Sequence, residues 1–186
     1  MNMNEVDKLL PVNIFRITIG CSTVLGNCFL LYLFYKFPRL RHSQANLLLI
    51  FINIYDLLIG IGITDRGIYA IYATANNITL FDRMTCLNVS SIQSSAITGM
   101  QAMIIAISVD RCLAVFKPVR YAKNDSRLFV YCAAAISIAC SAVLSVIYRV
   151  NVDPIPVTVC STGAAQTALY AMANQIYSTI FLILLF

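Results

Sequence analysis

The string SVDRCLAVFKPVRY, residues 108–121, sets a carboxylate, Asp110, beside a guanidinium, Arg111. The pair ends a run of 25 uncharged residues, Thr85–Val109. Opposite charges at the mouth of an apolar span can pair with each other. An arginine at a helix end that merely snorkels to the interface is the plainer reading. A preceding aspartate able to pair with it, and a following basic loop with Pro118 and Tyr121, fit that reading less well.

A second charge, Asp56 in NIYDLLIG, has eleven uncharged residues of its span before it and eight after. A carboxylate at that depth costs from about 3 kcal/mol upward and faces a protein interior or a watery cavity. Asn27, in TVLGNCFLLY, is a candidate hydrogen-bond partner for Asp56 across a helix pair, with Gly26 allowing close approach. An amide turned onto its own backbone is the alternative for Asn27. The Thr85–Val109 span also carries Ser90, Ser94, Thr98 and Gln101 at spacings of four, four and three, so they share one helical face. In lipid such a stripe would stay unsatisfied, so it faces other helices or a cavity.

Enzymatic chemistry finds little support. His42 is the sole histidine and lies in a basic loop, so neither a histidine metal site nor a histidine-assisted nucleophile can be assembled. GIGITDRG lacks the strand–loop–helix context of a phosphate loop. Nothing calls for a metal or a cofactor.

The elements that must position these groups are membrane spans. Of 186 residues, 60% are hydrophobic and 11% charged, where a soluble domain carries about a quarter charged residues. Five stretches approach the roughly 20 apolar residues a bilayer requires: Ile17–Tyr35, Ala45–Thr64, Thr85–Val109, Leu128–Tyr148 and Leu169–Phe186. Gly67–Phe81 reads as the outer end of the second helix plus a short loop. The predicted architecture is an all-α membrane protein forming one transmembrane domain over 1–186. Its helices are expected near 12–36, 44–73, 83–116, 127–149 and 165–186, with the chain stopping within or after the fifth span as a fragment would.

Eight of the thirteen Lys and Arg residues cluster in two loops: Lys36, Arg39 and Arg41, then Arg111, Lys117, Arg120, Lys123 and Arg127. Such loops mark the cytoplasmic face, which puts the N-terminus outside. The net charge of +5 thus reflects topology and implies no nucleic-acid partner. The lipid bilayer is the partner it does imply. Of seven cysteines, Cys21, Cys28, Cys132 and Cys140 fall within spans, Cys112 at a cytoplasmic end, and Cys86 and Cys160 at the outer face. The last two are either free and buried or bridged; the oxidising side favours the bridge. NNIT offers a glycosylation acceptor at Asn77, close to the membrane.

These residues, at these spacings, resemble the rhodopsin-like (class A) G-protein-coupled receptors, from the N-terminus into the fifth of seven helices. Gly26–Asn27 matches the first helix. Leu40–Arg41, Asn46 and Asp56 match the first loop and second helix. Cys86 stands 25 residues before Arg111, with Cys160 as its loop partner, and Asp110–Arg111 matches the Asp-Arg-Tyr region. Cys112 replaces the usual tyrosine, the chain has no tryptophan, and Met100 stands where a serine often helps hold sodium. Gln93 replaces the amine-receptor aspartate, which argues against a biogenic amine. With VDRCLAV intact, this drift looks most like divergent nematode serpentine chemoreceptors.

The resemblance implies a plasma-membrane receptor in which Asp110 restrains Arg111 until a small extracellular ligand moves the helices. A heterotrimeric G protein would then engage Arg111. It further implies an inter-helix polar network at Asn27 and Asp56, a Cys86–Cys160 disulfide, and a ligand pocket between helices 3 and 5 at Gln93, Ser94 and Ile97. A peptide receptor, a truncated non-signalling protein that traps a partner and, more distantly, a transporter or membrane enzyme are the competing readings.

Overall fold

The computed structural model describes residues 9–116, 127–150, 152, 155–158, 160 and 166–185. Helix α1 spans Leu10–Lys36, with Pro11 in its first turn, where no N–H partner is required. A 3-10 turn, Pro38–His42, leads into α2, Gln44–Ala75. Then come α3, Arg83–Phe116, α4, Arg127–Ile147, and α5, Ala168–Leu185. The first four are long and apolar enough to cross a membrane. The 18 residues of α5 rise about 27 Å, close to a hydrocarbon core about 30 Å thick. Helix α1 starts two residues before the expected span, α2 runs two beyond its own, and α4 stops at Ile147. Residues 161–165 and Phe186, expected in or near the fifth span, lie outside the described residues.

Element boundaries have local causes. At the end of α2, Asn77 takes φ 53°, and Asn77 N–H and Ile78 N–H donate to the carbonyls of Thr74 and Ala73. That is a Schellman C-terminus with asparagine at the left-handed position. Helix α3 is opened by Asp82, whose Oδ2 accepts from the Thr85 backbone N–H at 2.9 Å and from its hydroxyl at 2.8 Å. These bonds, the backbone one foremost, hold the Asp82 carboxyl below its ordinary range. The cap is therefore strongest where Asp82 is ionised and weakens as pH falls through that lowered value.

Each helix packs beside the next in sequence, and α5 rests on α3 and α4. Glycines set the closest approaches. At the α1–α2 crossing a Cβ on Gly20 would meet the Thr64 side chain and come within 2.8 Å of the Gly60 carbonyl. Gly26 has nothing within 4 Å, so the expected close approach is made six residues earlier, at Gly20. At the α2–α3 crossing, a Cβ on Gly62 would sit 2.8 Å from the backbone nitrogen of Gln93.

The third close approach joins three helices. Tyr55 of α2 lies across Gly99 of α3, where any side chain would enter its ring. Its hydroxyl accepts a 2.6 Å hydrogen bond from Ser137 of α4, which also lies 2.8 Å from the Gly99 carbonyl. One turn on, Ser141 donates to the Ser95 carbonyl at 2.9 Å, and a further turn on Ser145 meets the Ser95 hydroxyl. Tyr177 of α5 donates to the Thr98 carbonyl at 2.8 Å. Hydroxyls thus tie α3 to α4 and α5, as bundles in lipid require when burial of apolar surface offers no driving force between helices. Around this seam Leu48, Tyr55, Ala96, Met103, Ala106 and Val130 form an inner-half core. Phe81, Cys86, Leu87, Leu144, Tyr148 and Tyr170 form an outer-half one.

Gly99→Val is expected to lower stability by about 1–3 kcal/mol through overpacking against Tyr55. Tyr55→Phe, which deletes only the hydroxyl, should cost about 0.6 kcal/mol. Thermal unfolding in detergent ranks the two, and a Gly99→Val protein as stable as the parent would contradict the three-helix packing.

Candidate functional site

At the cytoplasmic end of α3, Asp110 is fully buried, at 0% exposure. Gln44, the first residue of α2, donates its Nε2–H to Asp110 Oδ1 at 2.8 Å. Arg111 Nε lies 3.9 Å from Asp110 Oδ2, and the Arg111 side chain is 61% exposed. The charges do pair, but a short bond to the carboxylate comes from a neighbouring helix and the ion pair is long and wet. The turn ahead of α2 fixes Gln44, since Asn46 Nδ2 donates back to the Leu40 carbonyl at 2.9 Å. Pro118 and Tyr121, read as part of the same region, lie outside the described residues.

Midway through the membrane the expected Asn27–Asp56 contact is not formed. Asn27 Nδ2 donates to the Thr23 carbonyl at 2.9 Å, four residues back on its own helix. Asp56 is half-buried on α2, next to Tyr55. The physical reason is proximity: an i−4 carbonyl is always within reach of an amide in hydrocarbon. Gly26, meanwhile, is exposed and brings no second helix close.

The three ligand candidates on α3 diverge. Gln93 faces α1 and α2, lining a cavity of about 250 Å3 with Phe15, Arg16, Ile19, Ile63 and Arg66. Ser94 faces α4 and α5 beside Ser95, Thr98, Leu144, Ser145, Tyr148 and Tyr170, in a crevice with no room for a water molecule. Ile97 is exposed on the bundle's outside. Successive helical positions point about 100° apart, so Gln93 and Ser94 open on different sides of the helix.

The outer end is firmly braced. Cys86 and Cys160 form a disulfide with Cα atoms 5.2 Å apart. Phe81 and Val157 exchange two backbone hydrogen bonds, 2.8 and 2.9 Å, as an antiparallel bridge. Arg83 donates to the Gln166 carbonyl at 2.9 Å, and the Tyr148 and Tyr170 rings meet edge-on at 4.5 Å. Asn77 is exposed on the turn after α2. Sequence reasoning missed Gln44, Tyr55 and the serines of α4. Ser137, Ser141 and Ser145 recur every four residues, a legible signal; Gln44 and Tyr55 carried none.

The family model described as serpentine type 7TM GPCR chemoreceptor Srsx matches residues 19–186. No curated protein matches the chain.

Because the carboxylate depends on Gln44 more than on Arg111, Gln44→Leu should cost about 1.5–3 kcal/mol, the range of hydrogen bonds to charged groups. Arg111→Gln should cost under about 1 kcal/mol, as exposed ion pairs do. Thermal melts of the two variants decide it, and a larger loss for Arg111→Gln would reverse the assignment.

Proposed function

We infer function from membership: the chain belongs to the Srsx family of serpentine seven-transmembrane chemoreceptors, whose model covers residues 19–186. It is accordingly an integral multi-pass protein of the plasma membrane, a receptor and not an enzyme. The finer reading is that it senses a small extracellular molecule and relays its presence to a heterotrimeric G protein at the cytoplasmic end of α3.

The observation that carries this reading is the asymmetry of the Asp110–Arg111 pair. Asp110 is buried and tethered to α2 through Gln44, while Arg111 is 61% exposed and, among the described residues, is held by a 3.9 Å contact to Asp110. A guanidinium so placed can turn its N–H donors toward a partner's carbonyl groups without first breaking a short bond. The aspartate acts as the fixed member and the arginine as the moving one. Any shift of α3 against α2 changes the 2.8 Å Gln44 bond, so helix displacement and the exposure of Arg111 are linked as two states of one element.

On the ligand side, Gln93 and Ser94 serve the reading unequally. The crevice at Ser94 is filled by Tyr148 and Tyr170, whereas Gln93 opens on a cavity in the outer half of the bundle. A molecule arriving from outside therefore finds space at Gln93, and Ile97 lies off its path.

In cells expressing the receptor, Asp110→Asn should raise basal G-protein activation and Arg111→Ala should abolish coupling, with surface expression monitored in parallel. Unchanged signalling in both variants would reduce the pair to a topology determinant. Gln93→Ala should lower agonist potency about tenfold, the worth of one good polar contact, and Ser94→Ala should do less.

A further inference from the structure

We propose that Asn77 is an N-glycosylation site, carrying one oligosaccharide on the outer face of the bundle. Such a site is independent of what the protein senses. Three Asn-x-Ser/Thr sequons occur in the chain, at Asn77, Asn88 and Asn124. Asn124 falls in the basic loop between α3 and α4, on the cytoplasmic side and outside the described residues. Asn88 is inside α3, and its sequon partner Ser90 is 1% exposed, with its hydroxyl bonded to the Cys86 carbonyl at 2.9 Å. A transferase cannot reach that hydroxyl without unwinding the helix. Of the two described sequons, only Asn77–Ile78–Thr79 lies on irregular backbone at the surface.

The turn after α2 presents this sequon. Asn77 and Thr79 are exposed, while Ile78 between them packs against the outer-half core. Burying the middle side chain leaves the amide and the hydroxyl on the solvent side. Asn76, one residue earlier, has its Nδ2 bonded to the Tyr72 carbonyl at 2.8 Å, whereas no described residue bonds the Asn77 amide. The backbone is held on both sides, by the Schellman bonds to Thr74 and Ala73 and by the Phe81–Val157 bridge. The Cys86–Cys160 disulfide lies at the same end of the bundle. Disulfides persist on the oxidising side of the membrane, which is also the side where N-linked sugars are transferred.

The sequence sets the sequon close to the membrane, and the length of α2 raises it. Gln44, bonded to the buried Asp110, marks the inner edge. From there a hydrocarbon core about 30 Å thick takes roughly 20 residues at about 1.5 Å each, as far as Thr64. The exposed Asp65 follows at once. Yet α2 continues unbroken to Ala75, so residues 65–75 add about 16 Å beyond the core. Headgroups take up only about 5–8 Å of that, and the turn stands clear of them.

The modification is a glycosyl transfer from a polyprenyl-pyrophosphate-linked oligosaccharide. Asn77 Nδ2 attacks C1 of the sugar joined to the pyrophosphate. An N–C1 bond forms, and the C1–O bond breaks with its electron pair leaving on the pyrophosphate. Nδ2 gives up one proton to a carboxylate of the transferase, and nothing is oxidised or reduced. Thr79 takes no part in the bonds exchanged; its hydroxyl is what the transferase reads. The product is bulky and hydrated, which holds the outer end of α2 in water.

The test is the electrophoretic mobility of the full chain made in cultured insect cells, before and after peptide:N-glycosidase treatment. The parent should shift downward in one step, and mass spectrometry should find an aspartate in place of Asn77 in the treated chain. Asn77→Gln and Thr79→Ala should each abolish the shift, while Thr79→Ser, which keeps the hydroxyl, retains it. Asn88→Gln should leave it unchanged. A parent that does not shift, or a shift that survives Asn77→Gln, overturns the site. Loss of the shift in Thr79→Ser as fully as in Thr79→Ala does the same.

Discussion

The bundle depends on Tyr55 packing against Gly99. In hydrocarbon, helices gain nothing from hiding apolar surface from one another, so what aligns them must be close contact and shared polar atoms. Tyr55 provides both. Its ring takes the space that a side chain at position 99 would have filled, and its hydroxyl reaches past α3 to Ser137 on α4. Three helices are thereby registered at one height. The remaining contacts follow from that height: Ser141 and Ser145 can reach Ser95 only if α4 is already in step with α3. Gln44, three turns along α2 from Tyr55, meets Asp110, three turns along α3 from Gly99.

That arrangement explains what was legible in the sequence and what was not. Span number, orientation and the outer cysteine pair could be read because they follow from one-dimensional quantities: run length, charge placement and compartment. The Asp110–Arg111 pair was visible as two adjacent letters, and its mutual contact was found. Its short bond to Gln44, 66 residues away, became visible only once α2 and α3 were placed side by side. The same applies to Gly26, chosen for being a glycine next to an asparagine. Which glycine sits at a crossing depends on helix rotation, and rotation put Gly20 opposite Gly60.

The polar stripe on α3 shows the limit more finely. Ser90, Ser94, Thr98 and Gln101 do share a face, and Ser90 and Thr98 are buried. Yet the hydroxyls of Ser90 and Thr98 turn back to their own helix, bonding Cys86 and Ser94 carbonyls. The bridging to α4 runs through Ser95 and the Gly99 carbonyl, one position off the stripe. Periodicity identified a helix that needed neighbours; it could not say which of its edges would touch them. Gln93 and Ser94, adjacent in the chain, ended facing different neighbours for the same geometric reason.

The disulfide has a bearing on how the protein is made. Cys86 and Cys160 are 74 residues apart and enclose nearly all of α3 and the whole of α4 in a covalent ring. By the chain-entropy argument a ring that large removes about 4 kcal/mol of disorder from the unfolded chain. It also records history. The two sulfurs can meet in an oxidising lumen only after one helix has been threaded inward, its successor outward, and the linking loop left behind on the cytosolic side. A molecule carrying the bond has therefore passed a test of insertion, and a non-reducing gel sorts correctly threaded copies from the rest without any assay of signalling.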